Sequence, residues 1–102
     1  MGALMPSAGV VTSARVYVNT ASVALSTTTA KSAALRQDTL YMVTASVAWH
    51  FNHGVQASVT ATTSHFPLAA YQVIEVWSTD SFDTVAGILD SGTGTMFIME
   101  VK

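Results

Sequence analysis

Between Thr39 and Phe51 every second residue is apolar: Tyr41, Val43, Ala45, Val47, Trp49 and Phe51. Successive strand residues point to opposite faces. The alternation therefore commits this stretch to one strand, or to two strands with a bend, burying one face throughout. The opposite face carries Leu40, Met42, Thr44, Ser46, Ala48 and His50, and turns from apolar to polar along the chain. The sequence Asn52-His53-Gly54 then reads as a turn.

The same period of two recurs elsewhere. Arg15–Asn19 and Ser22–Ser26 are rich in β-branched and small residues, and Thr27–Lys31 between strands reads as a turn or loop. Ser32–Leu35 is too short to sustain a helix alone. Ser58–Ser64 is rich in hydroxyls, and Phe66-Pro67-Leu68 reads as a loop with an apolar anchor. Tyr71–Trp77 alternates Tyr71, Val73, Glu75 and Trp77 with Gln72, Ile74 and Val76. Val85–Leu89 is a short apolar run, closed by a hairpin connection over Asp90–Gly94. The last strand, Thr95–Val101, has Phe97, Met99 and Val101 on one face and Met96 and Ile98 on the other. With both faces apolar, it is either a central strand or one covered on its second side.

About seven or eight short strands with regular turn signals predict an all-β fold, a single small antiparallel β-sandwich or jelly-roll-like barrel. Jelly-roll and immunoglobulin-like strand orders both fit the pattern. The domain is expected over 13–102. Residues 1–12, with breakers at Pro6 and Gly9, read either as a frayed end or as an arm that orders on a neighbour. In the second case Leu4, Met5, Val10 and Val11 meet apolar surface on a neighbour; Met96 and Ile98, on the second face of the last strand, are the other expected partner contacts.

Composition narrows the function. The chain has 102 residues, half of them hydrophobic, with a mean hydropathy of +0.43, which excludes intrinsic disorder. Charged residues make up 10%, against about 25% in ordinary soluble domains. Depletion of charge marks the core of a contact patch, so much of the surface is expected to be buried against other subunits. The four basic residues Arg15, Lys31, Arg36 and Lys102 are scattered, and phosphate backbones call for clustered ones, so no nucleic acid is expected. Without cysteine there is no disulfide, thiolate metal site or thiol catalysis, which suits assembly in a reducing cytoplasm. The start of the chain lacks the basic-then-apolar pattern of a signal peptide. The charge-free stretch between Asp38 and Glu75 contains three histidines and many hydroxyls, so no membrane span is expected.

No constellation of residues carries chemistry. Asp80 and Asp83 sit in one loop open to solvent and read as ordinary turn aspartates before an acid–base pair. The same loop lacks the spacing and closing glutamate of a calcium site. His50 and His53 point to opposite faces of a regular strand, and His65 would have to complete any zinc set in space. Solvent-facing histidines are the reading we favour. No serine lies in a Gly-x-Ser-x-Gly elbow, and Gly92-Thr93-Gly94 is too short for a phosphate loop. Trp49 and Trp77 have apolar neighbours and read as packing residues before sugar platforms. The expectation is a non-enzymatic chain with no catalytic residue, no metal and no cofactor.

One further set of residues points to a family. Ser32–Leu35, Leu40–Ala45, Val59–Ser64, Phe66–Ala70, Val85–Leu89 and Gly94–Phe97 together resemble small structural proteins encoded among the virion genes of tailed bacteriophages. The chain departs from that pattern at Trp49–His53, where such proteins tend to be glycine-rich. The resemblance implies a compact β domain on the capsid surface, a cement or decoration protein that bridges major capsid subunits after assembly in the host cytoplasm. Its implied partners are the major capsid protein or other virion proteins, with the chain itself a homo-oligomer, trimer or dimer. A receptor- or carbohydrate-binding module of a neck or tail fibre is the alternative, and it requires an exposed aromatic such as Trp77 beside Asp80.

Overall fold

The alternating stretch divides where its second face becomes polar. In the computed structural model, which describes residues 17–101, the chain leaves one sheet at Ala45, turns a three-residue corner over 46–48 and enters the other sheet at Trp49. Eight strands are present among the described residues: β1 (Tyr17–Leu25), β2 (Ala30–Lys31), β3 (Thr39–Ala45), β4 (Trp49–Gly54), β5 (Phe66–Leu68), β6 (Ile74–Ser78), β7 (Thr84–Ile88) and β8 (Gly94–Val101). They form two four-stranded antiparallel sheets, in the orders β1-β8-β3-β6 and β2-β7-β4-β5. Every connection except β4 to β5 passes from one sheet to the other. That order is a jelly roll, so of the two strand orders open from the sequence the immunoglobulin-like one is not adopted. The expected arm at residues 1–12, with Leu4, Met5, Val10 and Val11, lies outside the described residues.

The core sits between the sheets. Tyr41, Val43 and Ala45 of β3 and Met96 and Ile98 of β8 face Trp49 of β4 and Val85 of β7, with Leu25, Leu68, Val76 and Leu89 around them. Fully burying side chains of this size contributes on the order of 1.5–3 kcal/mol each. Trp49 is 2% exposed and packs edge-on against Phe51, with ring centroids 5.7 Å apart. Gly87 of β7 makes room for the indole, because a Cβ there would lie 2.8 Å from Trp49 Cε3. Gly92 takes a φ of +78° in the β7–β8 turn, a conformation that suits glycine.

Three local readings are corrected. Asn52-His53-Gly54 is not a turn: the three residues pair with Ala86, Val85 and Thr84 of β7, and the chain turns after them. There Ser58 and Val59 N–H donate to Val55 O. Phe66-Pro67-Leu68 is a short edge strand, not a loop, and Pro67 is tolerated because an edge strand leaves one side of its backbone unpaired. Tyr71, expected at the head of a strand, instead adopts a φ of 60° in the β5–β6 loop, where its N–H donates to Ala45 O at 2.7 Å.

The two outer faces differ. The long β4–β5 loop folds back over the β7 side of its sheet, burying Val59 and Ala61 against Ala86 and Ile88 in a second, smaller core. Asn52 Nδ2 donates to Thr60 O at 2.7 Å, and Ala61 N–H to Thr29 Oγ1 at 2.9 Å, which hold the loop down. The outer face of the other sheet carries no such cover among the described residues between β3 and β6.

Candidate contact surface

Alternation along β8 fixes which residues can meet a partner. Met96 and Ile98 point inward, at 0% and 1% exposure, so the contact surface expected there is not available on the folded domain. The outward residues of the strand are Phe97 and Met99. Registers place Phe97 opposite Thr44, Met99 opposite Met42, Met42 opposite Glu75 and Leu40 opposite Trp77. The outer face of this sheet is therefore a mostly apolar strip that runs from β8 across β3 to β6 and ends on Trp77, which is 54% exposed. The second apolar face of the last strand was legible in the sequence. Its assignment to the core or to the surface was not, because both rows of β8 are equally apolar.

Further large apolar residues are exposed along one edge of the sandwich. β5 and β6 are the edge strands of the two sheets and the 69–73 loop joins them. Along this side Phe66, Tyr71, Val73 and Trp77 are all large, apolar and exposed. A left-handed φ costs a bulky residue about 1–2 kcal/mol, so the fold holds the Tyr71 ring outward against a local penalty. Single exposed apolar residues are ordinary; four large ones between Phe66 and Trp77 point to an interaction surface. The two tryptophans thus separate, Trp49 into the core and Trp77 onto the surface.

The titratable residues are distributed among structural tasks. Asp83 accepts from Gln56 N–H and Thr84 Oγ1, both at 3.0 Å, and so ties the β4–β5 loop to β7. Asp80 lies exposed at the tip of a tight turn in which Thr79 and Phe82 exchange backbone hydrogen bonds of 3.2 Å. His50, on the outer face of β4, donates through Nδ1 to His65 O at 3.0 Å and meets Asp90 Oδ1 through Nε2 at 3.1 Å. Both partners are acceptors, so the doubly protonated ring is favoured. The His65 carbonyl and then the Asp90 carboxylate raise its pKa, against an opposing effect of burial. His53 follows Trp49 and Phe51 on the inner face of β4, packs against Phe82 and donates to Phe82 O at 2.8 Å. Burial lowers its pKa, and the Phe82 carbonyl and Asp83 only partly offset that. His65 Nδ1 accepts from Thr62 N–H at 2.7 Å. Among the described residues no three His, Asp or Glu side chains are grouped to hold a metal ion.

A cleft opens on the far side of the sandwich, between β1 and the 32–36 segment. There the Arg36 guanidinium reaches the nearly buried Glu100 carboxylate at 3.1 Å, and Arg36 N–H donates to the Tyr41 hydroxyl at 2.9 Å. No local pattern signals this pair, since Arg36 and Glu100 lie far apart in the chain and neither belongs to a motif.

No protein-family model matches the chain, and neither does any curated protein sequence or solved structure.

Proposed function

We propose that the chain is a non-enzymatic structural protein of a bacteriophage particle. In this reading it is a capsid cement or decoration protein that binds across junctions between major capsid subunits and acts as a homo-oligomer on the capsid surface. The observation that carries the reading is the exposure of four large apolar residues, Phe66, Tyr71, Val73 and Trp77, on and between the edge strands β5 and β6, on a chain with 10% charged residues. Large exposed apolar side chains on a chain poor in charge suit a contact that is made once and kept. The mechanism is thermodynamic: a protein that binds the assembled shell, and not its loosened form, stabilises the shell by its binding free energy. Several contacts per oligomer add through effective concentration.

Empty shells of a phage that encodes this chain, heated with and without the purified protein, test the reading. The shell transition should rise on addition of the protein, and Trp77→Ser should lose both binding and the rise. Confirmed binding with an unchanged transition would remove the cement role. The exposure of Trp77 also favours a second reading, a receptor- or carbohydrate-binding module, because an aromatic ring open to solvent can stack on a sugar. Retention on a glycan array that Trp77→Ser abolishes, with no binding to shells, would select it.

A further inference from the structure

On the side of the sandwich away from Trp77 the two sheets end in strands of unequal length. β1 has nine residues and β2 has two. The inward row of β1 therefore runs past β2, and the 32–36 segment stands opposite it instead. That segment is held toward β7 by Ser32 N–H to Val85 O and Leu35 N–H to Asp83 O. Ala21, Ala33 and Ala34 are too small to close the gap. A cavity of about 410 Å³ remains between the sheets, within the range of ligand sites.

The walls of this cavity and its end differ in chemistry. Val23, Leu35 and Ile98 make the walls apolar. At the end, Glu100 of β8 stands directly opposite Tyr41 of β3, and both are buried on the inward rows of their strands. A carboxylate so placed loses much of its hydration and is kept there by cations and hydrogen-bond donors. Arg36 supplies one such contact, Nη1 to Oε2 at 3.1 Å, but the two side chains are unequally held: that of Arg36 is 64% exposed, that of Glu100 5%. The sandwich fixes the carboxylate, whereas the guanidinium reaches in from solvent and can return to it.

We propose that the cavity binds a small organic cation, an ammonium group on a compact apolar body, with the ammonium on Glu100 and the body against Val23, Leu35 and Ile98. A carboxylate accepts up to about four hydrogen bonds and an ammonium donates about three, so Glu100 receives the ligand whether Arg36 stays or turns out into water. The Tyr41 ring beside it attracts a cation and not an anion. An anionic ligand gains Arg36 but is set against the fixed charge of Glu100, and a neutral one leaves the carboxylate unused. A cavity of about 150 Å³ takes benzene, so this one suits a body of about one or two rings and not a folded partner. The inference is independent of the virion reading, which rests on the opposite side of the domain.

Titration of the isotope-labelled full chain, followed by amide chemical shifts, tests it. The probes are phenethylammonium, phenethyl alcohol, phenylpropionate and ethylammonium. The first should shift amides at 21–23, 32–36 and 98–100 to saturation at millimolar concentration. The alcohol should bind about tenfold more weakly, the difference between a charged and a neutral hydrogen-bonded pair. Phenylpropionate, with the wrong charge, and ethylammonium, without the body, should be weaker still. Arg36→Ala should tighten the ammonium several-fold, because it removes a competing cation; a purely structural role of Arg36 would not do so. Ala34→Trp, at an exposed position bordering the cavity, should weaken it while leaving distant amides in place. Glu100→Gln should erase the preference for ammonium over alcohol, and if that variant does not fold the other two still decide. Equal binding of the alcohol or the propionate, weaker binding in Arg36→Ala, unchanged binding in Ala34→Trp, shifts confined to other regions, or no shifts at millimolar ammonium would overturn the site.

Discussion

Gly87 and Trp49 are fitted to each other: the indole lies where the side chain of residue 87 would be, so close that a Cβ would sit 2.8 Å from Cε3. Leu25 Cδ2 would be 3.0 Å from the same Cβ. Neither neighbour can retreat easily, because both are buried in the inter-sheet core.

Gly87→Ala should therefore destabilise the domain by about 1–3 kcal/mol, the usual cost of overpacking. Trp49→Ala should cost about 3–5 kcal/mol. In the Trp49→Ala background the Gly87→Ala penalty should largely vanish. Urea unfolding of the two single variants and the double variant measures that coupling; additive penalties would show that the indole is not what excludes the methyl group.

Tyr71 presents the reverse case. Its ring is 68% exposed and its backbone is in the left-handed region, so the residue adds strain and buries little. Tyr71→Gly should raise stability by about 1 kcal/mol, seen as a higher thermal midpoint. The same change should weaken binding to shells if the exposed apolar residues are the contact surface. A variant that is more stable and binds less well would identify the strain as maintained for contact.

His50 and His53 should titrate on opposite sides of the ordinary histidine value in one NMR experiment. His50 is raised by the His65 carbonyl and Asp90, so its contribution is complete below the unfolded-state pKa and is lost as pH rises through the folded one. His53 is lowered by burial, so its neutral ring costs nothing at alkaline pH. As pH falls, the unfolded chain takes up that proton first and stability declines. His50→Gln should thus cost more at pH 5 than at pH 8. Asp90 is largely exposed, so the difference should be at most about 1 kcal/mol.

Asn52→Ala removes the side-chain bond to Thr60 O that holds the β4–β5 loop over its sheet. It should cost about 1 kcal/mol. Limited proteolysis should then cut first within 55–65, and amide exchange at Ala61 should accelerate well before that of the inter-sheet core.

Much of the architecture was legible because alternation is a local signal. The rows Tyr41–Val43–Ala45 and Trp49–Phe51 both face the core as their spacing indicates. What alternation does not encode is the sheet to which a strand belongs, so a single apolar register from Thr39 to Phe51 runs through the corner at 46–48 into the opposite sheet. Asn52, His53 and Gly54 look like a turn by residue type, yet they pair with β7 because tertiary contacts outweigh local preference. For the contact surface, Trp77 read like Trp49 as a core or interface packing residue, and only the structure separates the two, with Trp77 54% exposed. Met96 and Ile98 were assigned to a surface that belongs to Phe97 and Met99, since hydrophobicity alone does not say which side of a doubly apolar strand finds the core. The Arg36–Glu100 pair depends on β3 and β8 lying side by side, a long-range fact that no local pattern carries.

The pairing of β1 with β8, Tyr17 beside Val101, has a consequence for the life of the chain on the ribosome. β8 stands between β1 and β3 in its sheet, so two strands made early have no partner between them until the last strand has been synthesised. The first-made segments must wait, with apolar rows uncovered, for the last-made one to leave the exit tunnel. Folding of the sandwich is thereby deferred until β8 has been made, and a message cut short before Gly94 yields a product with no route to the native sandwich.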